Sequence, residues 1–187
     1  VYIESNALVD ERALRDLYIK KGYIDAKISV STSDSQEGVD VTFVINEGNS
    51  TVVSQVNFSG NTVFSARTLK SKISSKEKGF LKDGAFQRSS VEADKQSLVA
   101  YYATKGYIDA RVIDVVENSS YNEKKEREEI ELTFVLSEGA QYTYGGLTVS
   151  GNEIFRTEKL LSYVKLKNGD VFNQTKFQEV IAGITNL

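Results

Sequence analysis

No cysteine, histidine, tryptophan, methionine or proline occurs anywhere in the 187 residues. Without cysteine there is no disulfide framework and no thiolate nucleophile, and without histidine as well there is no thiolate or imidazole metal site. A cysteine-free chain is compatible with an oxidising compartment but does not require one. Enzyme chemistry is left with carboxylate pairs, Ser–Lys dyads or an oxygen-ligated Ca²⁺ or Mg²⁺. None of these recurs at motif spacing. Asp109 and Asp114 are five apart on an extended segment and so face opposite sides, and the charges from Glu123 to Glu131 alternate in sign as in a solubilising loop. Neither catalysis nor a cofactor nor a resident metal is expected.

An excess of one charge is also missing. There are 23 basic and 26 acidic residues, a net charge of -3, and no Lys/Arg cluster reaches the density that a phosphate backbone demands, so nucleic acid is not an expected partner. No apolar run approaches the roughly 20 residues that span a bilayer, and the first residues lack the basic start and apolar stretch of a signal peptide. A chain that begins at Val1 without Met and stops at Leu187 inside a helical pattern is expected to be a piece of a longer mature protein. With 40% hydrophobic residues it can bury one ordinary core or two small ones, and repeats must decide which.

The repeats are visible by eye. KKGYIDAKISV from Lys20 recurs as TKGYIDARVID from Thr104. VDVTFVINEG from Val39 recurs as IELTFVLSEG from Ile130, and VNFSGNTVF from Val56 as LTVSGNEIF from Leu147. Extra residues within NSSYNEKKEREE, from Asn118, account for the longer spacing of the later pairs and read as a solvated, partly mobile hairpin loop. DGAFQRSSVEADKQSLVAYY from Asp83 corresponds to NGDVFNQTKFQEVIAGITNL from Asn168 and, shifted, to VYIESNALVDERALRDLY from Val1. The chain therefore holds one complete unit, 50–140, preceded by the C-terminal part of another, 1–49, and followed by the N-terminal part of a third, 141–187.

Each unit reads strand, helix, helix, strand, strand. In the complete copy a strand around Val52–Ser59 sets Val56 and Phe58 on one face, and Gly60-Asn61 supplies the turn out of it, repeated at Gly151-Asn152. A short helix follows with Ser65 or its neighbour as cap and Leu69 and Ile73 inward, matched by Thr157, Leu160, Leu161 and Val164. The longer helix places Ser89 and Glu92 at capping-box spacing and carries a stripe of Val91, Lys95, Leu98 and Tyr102. It ends at Gly106, and Gly22 does the same after Leu14, Leu17 and Tyr18. Next, Ile24, Ala26, Ile28 and Val30 alternate with polar residues as in a strand buried on one face, and Ile108, Ala110 and Val112 copy it. The closing strand alternates Val39, Val41, Phe43 and Ile45 in one copy and Ile130, Leu132, Phe134 and Leu136 in the other, ending at Gly48 and Gly139. Three strands with one apolar face and two helices with one stripe each make a two-layer α+β sandwich.

In their order these residues resemble the polypeptide-transport-associated (POTRA) modules that precede the membrane barrel in outer-membrane assembly and transport proteins. The shared marks are a helix ending in Y-x-x-K-G-Y-I-D-A, a closing strand ending in E-G and a next strand ending in G-N. The resemblance covers the whole chain. One departure is that members often carry proline after the E-G, where this chain has Asn49 and Ala140. Three successive modules are more like the barrel-assembling members than single-module division proteins or two-module secretion transporters, and three-module translocation relatives stay open.

The resemblance implies a periplasmic segment of an outer-membrane protein, with accessory lipoproteins, unfolded outer-membrane precursors and a C-terminal membrane barrel of the same chain as partners. It also implies that the YIDA strand is a sheet edge, whose main-chain amides can pair with an incoming extended peptide. The candidate docking strands are Tyr23, Ile24, Asp25, Ala26, Lys27, Ile28, Ser29 and Val30, and Tyr107, Ile108, Asp109, Ala110, Arg111, Val112, Ile113 and Val115. The bland alternative for these side chains is that the tyrosines cover helix ends and Asp25 and Asp109 accept nearby hydrogens. Gly22, Gly48, Gly60, Asn61, Gly106, Gly139, Gly151 and Asn152 are expected to shape turns. Linkers of a few residues, Glu47–Thr51 and Glu138–Thr143, imply neighbouring modules that touch, with Gly145-Gly146 as a loosening element. A purely structural repeat used as a spacer fits the same tandem pattern.

Overall fold

The computed structural model of the chain describes residues 4–36 and 38–187. The reading of Val1–Ile3 as the head of a helical repeat falls outside them. In chain order the elements are α1 (Glu4–Lys20), β1 (Lys27–Ser35), β2 (Gly38–Asn46), β3 (Ser50–Ser59), α2 (Ala66–Lys70), α3 (Arg88–Ala103), β4 (Arg111–Asn122), β5 (Arg127–Ser137), α4 (Thr157–Leu161) and α5 (Gln174–Thr185). The complete repeat is thus β3-α2-α3-β4-β5, an α+β unit with a three-stranded mixed sheet ordered β3-β5-β4. The preceding repeat contributes α1 and the antiparallel pair β1–β2, in register from Lys27 opposite Asn46 to Ser35 opposite Gly38.

The chain divides into two compact units, Val1–Asn57 with Ile73–Asp94 and Val115–Thr133, and Phe58–Lys72 with Lys95–Asp114 and Phe134–Leu187. Their boundaries run through the complete repeat, not between repeats, because each unit holds one hydrogen-bonded joint. In the first, Thr51 N–H donates to Gly22 O at 2.7 Å, Phe86 N–H to Thr51 O at 3.0 Å, and Gln87 Nε2 to Lys20 O at 3.2 Å. In the second, Tyr142 N–H donates to Gly106 O at 2.8 Å, Phe172 N–H to Tyr142 O at 2.9 Å, and Gln141 Nε2 to Lys105 O at 3.0 Å. The isolated bridges Val52–Ala85 and Thr143–Val171 repeat as well. Beside the Gly145-Gly146 pair, Tyr144 exchanges backbone bonds with Gly169 and Asp170.

The closing strand of the complete repeat follows its pattern fully. Ile130, Leu132, Phe134 and Leu136 of β5 are buried, with Leu132 and Phe134 at 0% exposure, as a strand between two neighbours requires. In β2 the same alternation buries little: Val39, Val41 and Ile45 are exposed. Among the described residues that strand pairs with β1 alone, and burial needs a covering layer, not only an apolar period.

Other expectations are corrected. The four residues after each helix-ending glycine, Tyr23–Ala26 and Tyr107–Ala110, form turns and not strand, closed by Ala26 N–H to Tyr23 O and Ala110 N–H to Tyr107 O, both at 3.2 Å. The cause is the helix ending. Tyr23 N–H reaches back to Tyr18 O at 3.0 Å and Tyr107 N–H to Tyr102 O at 3.1 Å, with Gly22 and Gly106 at φ 91° and 88°. This is a Schellman ending, and its usual hydrophobic contact is the edge-on pairing of Tyr18 with Tyr23 and Tyr102 with Tyr107. Helix α3 starts at Arg88, which leaves Ser89 inside the first turn and not at its cap. Its inward stripe runs through Asp94, not Lys95, since Asp94 is 1% exposed and Lys95 is not buried.

The longer second hairpin is mostly strand. β4 and β5 have 12 and 11 residues against 9 each for β1 and β2, so the extra residues lengthen the arms and leave only Glu123–Glu126 as the turn. At its base Glu129 accepts from Arg127, Asn122 and Lys125, which together hold its carboxyl down at about 2. In the third repeat no strand forms around Leu147–Val149, because among the described residues no second strand pairs with it. The first-helix cap also differs between copies: Ser65 accepts from Thr68 N–H, whereas Arg156 at the matching site makes no side-chain cap bond.

Candidate functional site

The motifs that define the repeat meet in one hydrogen-bonded cluster. Glu138, 8% exposed, accepts from Tyr102 Oη at 2.6 Å, from Thr62 N–H at 2.8 Å and Oγ1 at 2.5 Å, and from Val63 N–H at 3.0 Å. Burial pushes its carboxyl up, but the hydroxyls of Thr62 and Tyr102 and the two amides outweigh that and hold it below the ordinary 4.5. Burial and the same bond to Glu138 push the Tyr102 hydroxyl well above its usual value. The G-N turn is locked beneath it: Asn61 Nδ2 donates to Phe64 O at 2.9 Å, and a Cβ on Gly60 would stand 2.2 Å from Leu136 O. Phe64 packs on Tyr101, Tyr102 and Tyr107 with ring centroids 5.0, 4.9 and 6.0 Å away.

The first repeat preserves the core of this device as Tyr18 Oη donating to Glu47 at 2.9 Å. Those partners are 29 residues apart and Tyr102 and Glu138 are 36 apart, a difference equal to the hairpin extension. The Y-x-x-K-G, G-N and E-G motifs are therefore parts of one structural clamp. Gly48 and Gly139 sit at φ 68° and 69° beside Asp25 and Asp109, Gly151 at φ 74°, and Asn152 repeats the Asn61 bond by donating to Phe155 O at 2.8 Å.

A second polar anchor is not legible in the sequence. Asp94, on the buried face of α3, accepts from Ser74 N–H at 2.5 Å, Ser74 Oγ at 2.7 Å and Ser75 N–H at 2.8 Å. A carboxylate in an apolar stripe shows only as a break in the period.

The two outer strands of the sheet are unlike each other. The backbone of β3 is already engaged by segment 77–86: Val53 N–H donates to Gly84 O at 2.7 Å, Lys78 N–H to Val53 O at 2.8 Å, and Val56 N–H to Glu77 Oε1 at 2.9 Å. At the other end of the strand order lies β4, mostly exposed along its length, with Ile113, Val116 and Tyr121 open to solvent. Beside it runs a groove of about 470 Å³ lined by Val99, Ala100 and Ala103 of α3, Arg111 and Val112 of β4, and Gln174, Thr175 and Gln178 of α5. Of the second set of candidate docking residues, Arg111, Val112, Ile113 and Val115 lie on this edge strand, and Tyr107, Ile108, Asp109 and Ala110 on the turn before it. Of the first set, Lys27, Ile28, Ser29 and Val30 lie on β1, and Tyr23, Ile24, Asp25 and Ala26 on the turn. Asp109 accepts from Tyr142 Oη at 2.7 Å, so its side chain serves the second joint.

Sheet order, repeat structure and clamp together define a tandem array of small α+β modules. The chain belongs to the POTRA family, "Surface antigen variable number repeat", whose pattern matches three times, over residues 1–48, 51–139 and 142–187. It is 41% identical over 179 residues to a Treponema pallidum (strain Nichols) protein named as an outer membrane protein assembly factor, covering 96% of this chain and 21% of that protein. It is 31% identical to the outer membrane protein assembly factor BamA of Neorickettsia risticii, over 85% of this chain and 21% of that one. The chain therefore spans about a fifth of the length of these relatives. Its fold is that of Haemophilus influenzae BamA POTRA3-5, with a TM-score of 0.55 and 20% identity over 95% of this chain and 67% of that structure. No helix among the described residues is long and apolar enough to cross a membrane.

Proposed function

We propose that this chain is the periplasmic polypeptide-receiving region of an outer-membrane protein assembly factor, and that it takes extended precursor segments along β4. The observation that carries this reading is the 12-residue edge strand with a groove at its side, while the opposite edge is occupied by the protein's own segment 77–86. A peptide added as a fourth strand gains main-chain hydrogen bonds whatever its sequence, and the aliphatic wall of Val99, Ala100 and Ala103 accepts alternate apolar side chains. Such a mode suits many precursors that share only strand periodicity. The three modules, the accessory lipoproteins and a C-terminal barrel of the same chain complete the reading, with the two bonded joints keeping successive modules in register.

The test is an NMR titration of the 187-residue chain with a peptide from an outer-membrane barrel strand. Amide shifts along Arg111–Asn122 and at Val99 and Ala103 are expected. Because successive strand amides face opposite edges, one of Val112→Pro and Ile113→Pro should abolish the shifts and spare the hairpin, while the other should disturb the hairpin. Unshifted amides at millimolar peptide would leave the array as a spacer and overturn the proposal.

A further inference from the structure

The segment between α2 and α3 of the complete repeat carries something that its counterpart in the third repeat lacks. Twelve residues separate Ile73 from Phe86, but only seven separate Val164 from Phe172 at the matching places. The base of the longer segment is fixed: Lys78 N–H donates to Val53 O at 2.8 Å, Glu77 accepts from Val56 N–H at 2.9 Å, and Gly84 packs so closely on Lys78 that a Cβ there would lie 2.5 Å from its Cα. The tip then reverses, Gly79 N–H donating to Lys82 O at 3.1 Å. At this reversal Phe80 is fully exposed and Leu81 is 91% exposed, between the exposed Lys78 and Lys82.

Two large apolar side chains in open water need a reason, and the fold does not supply one. Ile154 and Phe155 are also exposed, but they stand where Val63 and Phe64 stand in the complete repeat, and Phe64 packs on Tyr101, Tyr102 and Tyr107. Phe80 and Leu81 have no such counterpart, since the third repeat dispenses with the residues that carry them. The Gly79–Lys82 tip itself is not needed to close the edge of β3, because the bonds that do so come from Lys78, Gly84 and Phe86, on either side of it.

We propose that the Gly79–Lys82 tip is a lipid-docking wedge that inserts Phe80 and Leu81 into the interfacial region of an anionic phospholipid surface. The shape favours this occupant, since a bilayer interface yields around a single projecting wedge, whereas a protein would need a preformed hole. The charge also favours it: lysines bracketing an apolar pair keep their ammonium groups at headgroup level while their stems follow the apolar residues inward. Each lysine near an anionic surface adds attraction that salt screens. The inference is independent of peptide capture on β4.

The absence of tryptophan makes the experiment direct. In the 187-residue chain, Phe80→Trp introduces a sole indole, to be titrated with phosphatidylcholine vesicles with and without phosphatidylglycerol. A blue-shifted emission, quenched by lipids with brominated chains and weakened by salt, is expected with the anionic vesicles. Flotation of the unsubstituted chain with the same vesicles should be lost in Phe80→Ser/Leu81→Ser and reduced in Lys78→Glu/Lys82→Glu, whose substituted side chains all lie in solvent. An unshifted indole, or flotation that survives the Ser/Ser change, overturns the proposal.

Discussion

Tyr102 Oη donates to Glu138 Oε1 at 2.6 Å inside a site where both side chains are buried, whereas the matching bond of the first repeat, Tyr18 to Glu47 at 2.9 Å, is exposed. The same pair thus occurs twice in one chain in two dielectric settings. Tyr102→Phe keeps the ring and removes one donor from a buried carboxylate, for an expected loss of about 1.5–3 kcal/mol. Tyr18→Phe should shift urea unfolding by no more than about 0.5 kcal/mol. Equal effects would mean that burial does not set the strength of the clamp.

Acid should act through Glu138. Its folded-state carboxyl lies below the ordinary 4.5, so its contribution is present above that value and lost as pH falls through the lower folded value. Urea midpoints of the unsubstituted chain and Glu138→Gln should differ most at neutral pH and converge as pH drops below 4.5. A gap that widened on acidification would contradict the assignment.

Gly60 and Gly151 occupy the same turn with φ 79° and 74°, but only at Gly60 would a Cβ meet a backbone oxygen, 2.2 Å away on Leu136. Gly151→Ala is expected to cost about 1–2 kcal/mol, the strain of a left-handed alanine. Gly60→Ala should cost at least about 4 kcal/mol, because backbone must move. Thermal melts of the two variants make the comparison.

Asp94→Ala strands the amides of Ser74 and Ser75 beneath α3. The expected cost is about 2–4 kcal/mol, with faster hydrogen exchange at those two amides as the local signature. Asp94→Asn keeps an acceptor and should recover part of the loss.

Much of the fold was legible because its determinants are local. A Schellman ending needs one glycine and two residues that touch across five positions, so K-G-Y announces it at both Gly22 and Gly106. The Ser65 cap and the alternation of Ile130, Leu132, Phe134 and Leu136 are likewise contained in a few consecutive residues. Order and repetition of such signals sufficed to define the fold of the module and the family.

Only the tertiary structure decided what those residues meet. Tyr-Ile-Asp-Ala alternates like a strand, yet it is a turn, because the helix ending redirects the chain before pairing begins. Val39, Val41 and Ile45 carry the same period as β5 but remain exposed, since an apolar face is buried only if another layer covers it. Glu138 and Asp94 read as a strand terminus and a flaw in a stripe, and they became anchors through partners 76 and 20 residues away. Hydrogen-bond periods are written into neighbouring residues, whereas the choice of a distant partner belongs to the packing of the whole chain. For that reason the sequence named the parts, and the structure alone showed which outer strand the chain's own segment engages, which strand ends the other side of the sheet, and which apolar tip faces the solvent.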